Sequence, residues 1–70
     1  MQNFRLKELR CKRNITQIKL AFDLGISQTA LSRYETGERQ ADYAMLKKLA
    51  DYFGVSIDYL LGETENPKRN

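Results

Sequence analysis

The sequence predicts an all-α fold, a compact bundle of five short helices, on three observations. Apolar residues recur at helical spacing with charged residues between them, as Phe4, Leu6 and Leu9 do near the start of the chain. Residues suited to cap a helix precede such segments, and glycines that can end a helix follow several of them. No stretch of useful length alternates between apolar and polar residues as a half-buried strand would.

The first two helices are predicted on either side of Asn14. The first occupies about residues 3–13, and Asn14 ends it. Thr16 is a suitable N-cap for the second helix, and Gly25 can adopt the left-handed backbone that ends a helix. The apolar stripe of this second helix consists of Leu20, Ala21 and Leu24.

Three further helices are predicted, each with a polar cap before it and a glycine after it. The third runs from its cap to about Glu35, and the fifth ends at Leu61. The predicted caps are Ser27, Asp42 and Ser56, and the predicted glycine stops are Gly37, Gly54 and Gly62. The inward-facing residues of the fourth helix are Leu46, Leu49, Ala50 and Phe53.

The chain is interpreted as one domain over residues 1–62, followed by a polar tail over residues 63–70. Its 70 residues are enough for one small core. The tail is polar and carries the only proline of the sequence, so it is expected to fray.

Composition argues against several classes of protein. The single cysteine excludes an intrachain disulfide, and the lack of histidine excludes an ordinary zinc site, so no cofactor is expected. Without histidine the common catalytic triads are missing, and no glycine-rich phosphate loop occurs, so an enzyme is not expected. Cys11 is interpreted as a small, partly buried apolar residue, with a redox-sensitive thiol as the alternative.

The same sequence features bear on location. No apolar run is long enough to span a membrane, and the first five residues lack the apolar stretch of a signal peptide. A single free thiol without an export signal is typical of a reducing compartment. We therefore expect a cytoplasmic protein with no membrane partner.

The excess positive charge is confined to the first half of the chain. Residues 1–39 hold eight Lys and Arg against four Asp and Glu. Residues 40–62 hold two against three, and residues 63–70 hold two against two. A basic half indicates a polyanionic partner, although an ordinary solvated surface can have the same composition.

The third helix divides into two faces when its residues are placed at about 100° per residue. The polar face consists of Gln28, Thr29, Ser32 and Arg33, with no acidic residue among them. The opposite, apolar face consists of Ala30, Leu31 and Tyr34. Gln pairs bidentately with adenine, Arg with guanine, and hydroxyls with several groups, so the polar face suits base edges. Taken alone, this stripe favours an ordinary solvated helix face, which is the usual explanation for a polar stripe.

The segment around Gly25 meets the requirements of two helices that cross steeply over a short turn. Ala21 is small where the helices would touch, Gly25 allows the bend, and Ile26 fills it. The motifs are TQIKLA at residues 16–21, LGISQ at 24–28 and LSRYETG at 31–37, continued by residues 46–61. In these motifs and their spacing, the chain resembles the phage repressor/Cro-type helix-turn-helix family, the XRE family, over about residues 4–62.

The resemblance implies a lambda-repressor-like bundle whose second and third helices form the helix-turn-helix. It implies base contacts from Gln28, Thr29, Ser32 and Arg33. It implies contacts with the DNA backbone from Thr16, Gln17, Ser27, Thr36 and Arg39. Arg10, in the basic run of the first helix, is expected to add a further backbone contact. Gln17 is also expected to support Gln28. Arg10 and Glu35 match positions that form an ion pair in some members, with two ordinary surface charges as the alternative.

The function implied is a sequence-specific double-stranded DNA-binding transcription regulator, a repressor that binds a palindromic operator as a homodimer. The alternative is a protein-interaction module, such as an antitoxin or adaptor, built on the same fold. The candidate dimer contact consists of Val55, Ile57, Tyr59, Leu60 and Leu61. These side chains can equally close the small core of one subunit. No small-molecule ligand is expected.

Overall fold

Polar caps begin four of the five helices in the computed structural model, which describes residues 4–68. At each of the four, a side-chain oxygen accepts a hydrogen bond of 2.9–3.1 Å from a backbone N–H three residues further on. These bonds satisfy N–H groups that a helix leaves unpaired at its start. The caps are Thr16, Ser27, Asp42 and Ser56. The helices are α1 (Leu6–Lys12), α2 (Gln17–Leu24), α3 (Gln28–Thr36), α4 (Tyr43–Phe53) and α5 (Ile57–Leu60).

The predicted all-α bundle is confirmed, with differences at three helix ends. α1 begins only at Leu6, because the N–H of Arg5 donates to the Leu60 carbonyl at 2.8 Å and ties the chain to α5. Residue 3, the predicted start of this helix, lies outside the described residues. Asn14 ends α1 as predicted, with φ at 57°. α3 extends past the predicted end to Thr36, and α5 ends at Leu60.

A single hydrophobic core receives side chains from all five helices. Its largest fully buried side chains belong to Phe53 and five leucines, each less than 2% exposed. Burying one such side chain contributes roughly 1.5–3 kcal/mol, so these few residues supply much of the drive to fold. The core consists of Leu6, Leu9, Leu20, Ala21, Leu24, Leu31, Tyr34, Leu49, Phe53, Val55 and Leu60.

Two residues of the candidate dimer contact are interior. Val55 is 6% exposed and Leu60 is fully buried, because both close the core beneath α4 and α5. Their assignment to an interface is therefore wrong. Ile57, Tyr59 and Leu61 remain half-buried and keep some surface available.

The polar tail folds back onto the bundle and is not frayed over its described part. The Ser56 N–H donates to the carbonyl of Pro67 at 3.1 Å. The guanidinium of Arg5 donates to the carbonyls of Tyr59 at 2.8 Å and Thr64 at 3.3 Å. It also lies over the Tyr59 ring, 4.4 Å from its centroid. The tail is thus held by Ser56 and by Arg5, an arginine at the other end of the sequence. Residues 69–70 of the predicted tail lie outside the described residues.

Cys11 is exposed, which corrects the expectation that it is partly buried. The reason is its position on α1. Leu6 and Leu9 face the core, and Cys11 follows Leu9 by about 200° of helical rotation, which turns it to solvent.

Candidate nucleic-acid interface

A left-handed glycine produces the bend between α2 and α3. Gly25 has φ of 73° and ψ of 30°, and its N–H and that of Ile26 donate to carbonyls in the last turns of α2. The ammonium group of Lys48 donates to the carbonyl of Leu24 at 2.8 Å. The carbonyls of Ala21, Phe22 and Leu24 therefore have partners, and α3 starts three residues after Gly25.

α3 is anchored by its inner face. Leu31 is fully buried and Tyr34 is 6% exposed, as predicted for the apolar side. Ala30 is half-buried beside them. Because this face packs into the core, the opposite side of the helix must point outward.

The outer face of α3 borders a shallow concavity of about 400 Å³. All four residues predicted to read bases line it, together with one residue from α2 and one from the loop after α3. The lining residues are Gln17, Gln28, Thr29, Ser32, Arg33 and Glu38. Gln28, Thr29 and Arg33 are exposed, and Ser32 is half-buried. The structure thus brings the four predicted side chains together on one open surface.

Gln17 supports Gln28 in the way that the resemblance implies. The side-chain amide of Gln28 donates to the side-chain oxygen of Gln17 at 3.4 Å. The Gln17 amide in turn donates to the Glu35 carboxylate at 2.9 Å. A side chain held at one end has fewer rotamers to lose on binding, so this chain of bonds pre-orients Gln28.

Behind Gln17 lies the ion pair of Arg10 and Glu35, whose side chains are 12% and 3% exposed. Arg10 donates to both carboxylate oxygens of Glu35, at 2.6 and 3.2 Å, and to the Ile15 carbonyl at 2.9 Å. These bonds favour the charged guanidinium and raise the pKa of Arg10, and burial opposes them only in part. Arg10 therefore joins α1 to α3. Its donors are turned inward, which favours a positioning role over the predicted contact with the DNA backbone.

Of the other residues predicted to contact the DNA backbone, Gln17 is half-buried and the remaining four are exposed, each with a structural partner. Thr16 and Ser27 cap α2 and α3, which places their hydroxyls beside the first N–H groups of the two helices. Thr36 donates its hydroxyl to the Arg33 carbonyl at 3.2 Å. The Arg39 guanidinium lies over the Tyr34 ring, 5.3 Å from its centroid.

Glu38 is a residue of this surface that the helix pattern did not indicate. It follows the end of α3, where Gly37 turns the chain with φ of 85°. Its carboxylate lies 3.9 Å from the Nε atom of Arg33, and both side chains are more than half exposed. A helical projection cannot place a loop residue. The only available signal was the glycine stop, which allows the chain to turn back.

α2 carries a different exposed surface on its far side. Ile18 is 65% exposed and Phe22 81%, one helical turn apart. On another flank of α2, Asp23 accepts hydrogen bonds from the Tyr52 hydroxyl at 2.7 Å and the Lys19 ammonium at 3.1 Å. The Tyr52 hydrogen bond is the main cause of a lowered pKa of Asp23, and the same bond raises the pKa of Tyr52.

Residues 4–68 form neither a metal-binding cluster nor a membrane-spanning helix. No group of three or more His, Cys, Asp and Glu side chains is placed to hold a metal ion in this part of the chain. None of the helices between residues 4 and 68 has the length and apolar character needed to cross a membrane.

α2 and α3 are joined by a short glycine bend, and α3 is anchored by its inner face and polar on its outer face. This arrangement defines a helix-turn-helix domain. The family model described as helix-turn-helix, HTH_3, matches residues 6–60. The chain therefore belongs to this helix-turn-helix family, which confirms the resemblance drawn from the motifs.

Similar curated proteins are transcription regulators by name. The HTH-type transcriptional regulator ImmR of Bacillus subtilis is 46% identical over 66 residues, covering 94% of this chain and 52% of ImmR. The cryptic phage CTXphi transcriptional repressor RstR of Vibrio cholerae is 41% identical over 58 residues, covering 83% of this chain and 52% of RstR. The HTH-type transcriptional activator BcrR of Enterococcus faecalis is 40% identical over 63 residues, covering 90% of this chain and 31% of BcrR. The chain thus spans about half the length of two of these relatives and a third of the other.

Proposed function

We propose that the chain binds double-stranded DNA in a sequence-specific manner and regulates transcription, acting as a repressor in the cytoplasm. The observation that carries this proposal is the outer face of α3. Its four polar side chains line one open concavity, and no apolar side chain lies among the lining residues. Family membership and the names of the relatives support the same function.

In the proposed complex α3 lies in the major groove, and each outward side chain has a contact that its chemistry suits. Gln28 pairs bidentately with adenine, and Arg33 with the O6 and N7 atoms of guanine. The Thr29 methyl group packs against a thymine methyl, and the Ser32 hydroxyl donates or accepts. Because Gln28 is already held by Gln17, its contact costs less conformational entropy than that of a free glutamine.

Contacts with the DNA backbone are proposed for the helix starts. The first N–H groups of α2 and α3 carry partial positive charge, and Thr16 and Ser27 are exposed beside them. Gln17, Thr36 and Arg39 flank the same surface. Such contacts set the register of the protein on the duplex, whereas the residues of α3 supply the sequence preference.

We further propose that the chain acts as a homodimer on a palindromic operator. Two copies would place their α3 helices in successive major grooves, about 34–36 Å apart. Ile57, Tyr59 and Leu61 are the residues of the predicted contact that retain surface for it. We propose repression because the relative RstR is named a repressor. The relative BcrR is named an activator, so activation of transcription is the competing outcome.

The test is selection of bound sites from a random duplex pool, followed by binding measurements over a range of salt concentrations. An enriched consensus, with affinity that falls steeply as salt rises, is the expected result. Two-fold symmetry in the consensus would support the dimer, and a single half-site would contradict it. A Gln28→Ala/Arg33→Ala variant should lose the consensus preference. The matched control is Gln40→Ala/Lys47→Ala, which changes two exposed residues that do not line the concavity and should keep the preference.

A protein-interaction module remains the competing function, and the exposed Ile18 and Phe22 on α2 are the observation that favours it. This function predicts no enrichment from the duplex pool and weak binding to DNA even at low salt. A flat selection would therefore reject DNA recognition and leave the interaction module as the better account.

A further inference from the structure

Contacts on both sides of Glu38 hold the backbone from which its side chain extends. Gly37 turns the chain after α3, and the N–H of Arg39 donates to the Arg33 carbonyl at 3.2 Å. The Arg39 guanidinium is held over the Tyr34 ring. With its neighbours fixed in this way, Glu38 lies along the concavity in front of α3.

The charges of this concavity cancel. Among its six lining residues Arg33 is the only cation and Glu38 the only anion, and the two are 3.9 Å apart. Their side chains are 57% and 71% exposed. A surface proposed to bind a polyanion thus carries no net charge where the bases would be read.

We propose that Glu38 is a specificity-determining residue, one that keeps the charge of Arg33 from binding phosphate indiscriminately. The inference rests on the proposed DNA-binding function and deepens it. Glu38 need not touch a base to act. It is the partner that Arg33 must leave before Arg33 can bind DNA.

The physical argument compares two partners for the guanidinium. An exposed ion pair is weak and is easily exchanged. A guanine offers Arg33 two acceptors in a bidentate arrangement, which is a good replacement for the carboxylate. On a sequence without that guanine, Arg33 stays beside Glu38, so the pair gives phosphates little attraction and the carboxylate repels them. Glu38 therefore weakens binding to random DNA more than binding to the operator.

The test compares Glu38→Gln with Glu65→Gln, each removing one negative charge from an exposed glutamate that pairs with an arginine. Glu65 pairs with Arg5 at 3.2 Å on the tail and is 92% exposed. Dissociation constants are measured for the selected operator and for a random duplex across a salt series. Glu38→Gln should raise the affinity for the random duplex about fivefold and the affinity for the operator by less. The ratio of operator affinity to random-duplex affinity should therefore fall about threefold. Glu65→Gln should leave the ratio unchanged.

A second pair of variants checks that Glu38 acts through Arg33. In an Arg33→Ala background, Glu38→Gln should no longer change the ratio of operator to random binding. Equal ratios for Glu38→Gln and Glu65→Gln in the unmodified background would overturn the inference, while the proposed function would stand. Loss of operator affinity in Glu38→Gln would also overturn it, because that result assigns Glu38 a direct base contact. If the unmodified chain binds neither duplex, the proposed function itself fails.

Discussion

Two arginine–glutamate pairs lie on either side of α3, and they differ in their surroundings. Arg10 and Glu35 are 2.6 Å apart, with side chains 12% and 3% exposed, and they share further bonds with Ile15 and Gln17. Arg33 and Glu38 are 3.9 Å apart and more than half exposed. The same two residue types thus form one pair inside the structure and another at its surface.

The difference in burial explains why the two ion pairs have different roles. A buried charge that loses its partner is costly, so the Arg10–Glu35 pair is fixed and links α1 to α3. An exposed pair gains little from its contact and exchanges partners with solvent or ligand. The inner pair therefore holds the recognition surface in place, and the outer pair is available to respond to what binds there.

The largest expected effect is on the inner pair. Arg10→Met leaves the Glu35 carboxylate buried without its cation and should lower the free energy of unfolding by about 3 kcal/mol. For a domain of this size that corresponds to a melting temperature roughly 12–24 °C lower, measurable by circular dichroism.

The control for this prediction is the double variant Arg10→Met/Glu35→Met, which replaces both charges by apolar groups of similar length. It should recover most of the lost stability, since no charge remains unpaired. A single variant as stable as the unmodified chain would contradict the view that this pair is structural.

A substitution in the outer pair should weaken DNA binding and leave stability almost unchanged, the reverse of what is expected for the inner pair. Arg33→Ala should weaken operator binding by about 1–3 kcal/mol and relax the preference at one base pair. Because Arg33 is 57% exposed, the melting temperature should hardly change. Operator profiling and thermal unfolding of the same sample measure both quantities, and an unchanged profile would exclude Arg33 from base reading.

The Gly25 bend should affect stability without affecting the affinity of the folded protein. No atom lies within 4 Å of a Cβ added there, so Gly25→Ala introduces backbone strain and no clash. Left-handed backbone costs a residue other than glycine about 1–2 kcal/mol, which thermal unfolding should register. Operator affinity below the melting transition should stay as it was. A large loss of affinity would mean that the bend also sets the angle of α3.

The smallest effect is expected at the exposed hydrogen bond between Tyr52 and Asp23. The lowered pKa of Asp23 means that its contribution to stability is present above the ordinary carboxyl pKa and is lost as pH falls through the native value. The raised pKa of Tyr52 means that its contribution is present below the ordinary tyrosine pKa and is lost as pH rises through the native value.

Tyr52→Phe should therefore lower the melting temperature slightly at neutral pH and flatten its decline below about pH 4 and above about pH 10. Tyr43→Phe is the matched control, because that ring is 71% exposed on the same helix. Identical pH profiles for the two variants would show that the Asp23 bond contributes nothing to stability.

The sequence by itself determined the helices, their caps and the two faces of α3. A cap joins a side chain to an N–H only three residues away, and a helical face repeats every three or four residues. Both kinds of information are local. They therefore indicated Thr16, Ser27 and Gly25 before any packing was known, and motif spacing added the family.

Tertiary structure alone decided which of the remaining residues face each other. Val55 and Leu60 proved to be core, the tail proved to be held by Arg5, and Glu38 proved to lie beside Arg33. These facts depend on how loops return and on contacts between distant parts of the chain, as between Arg5 and Thr64. No periodicity within one helix contains that information, because it exists only when the helices have packed around a common core.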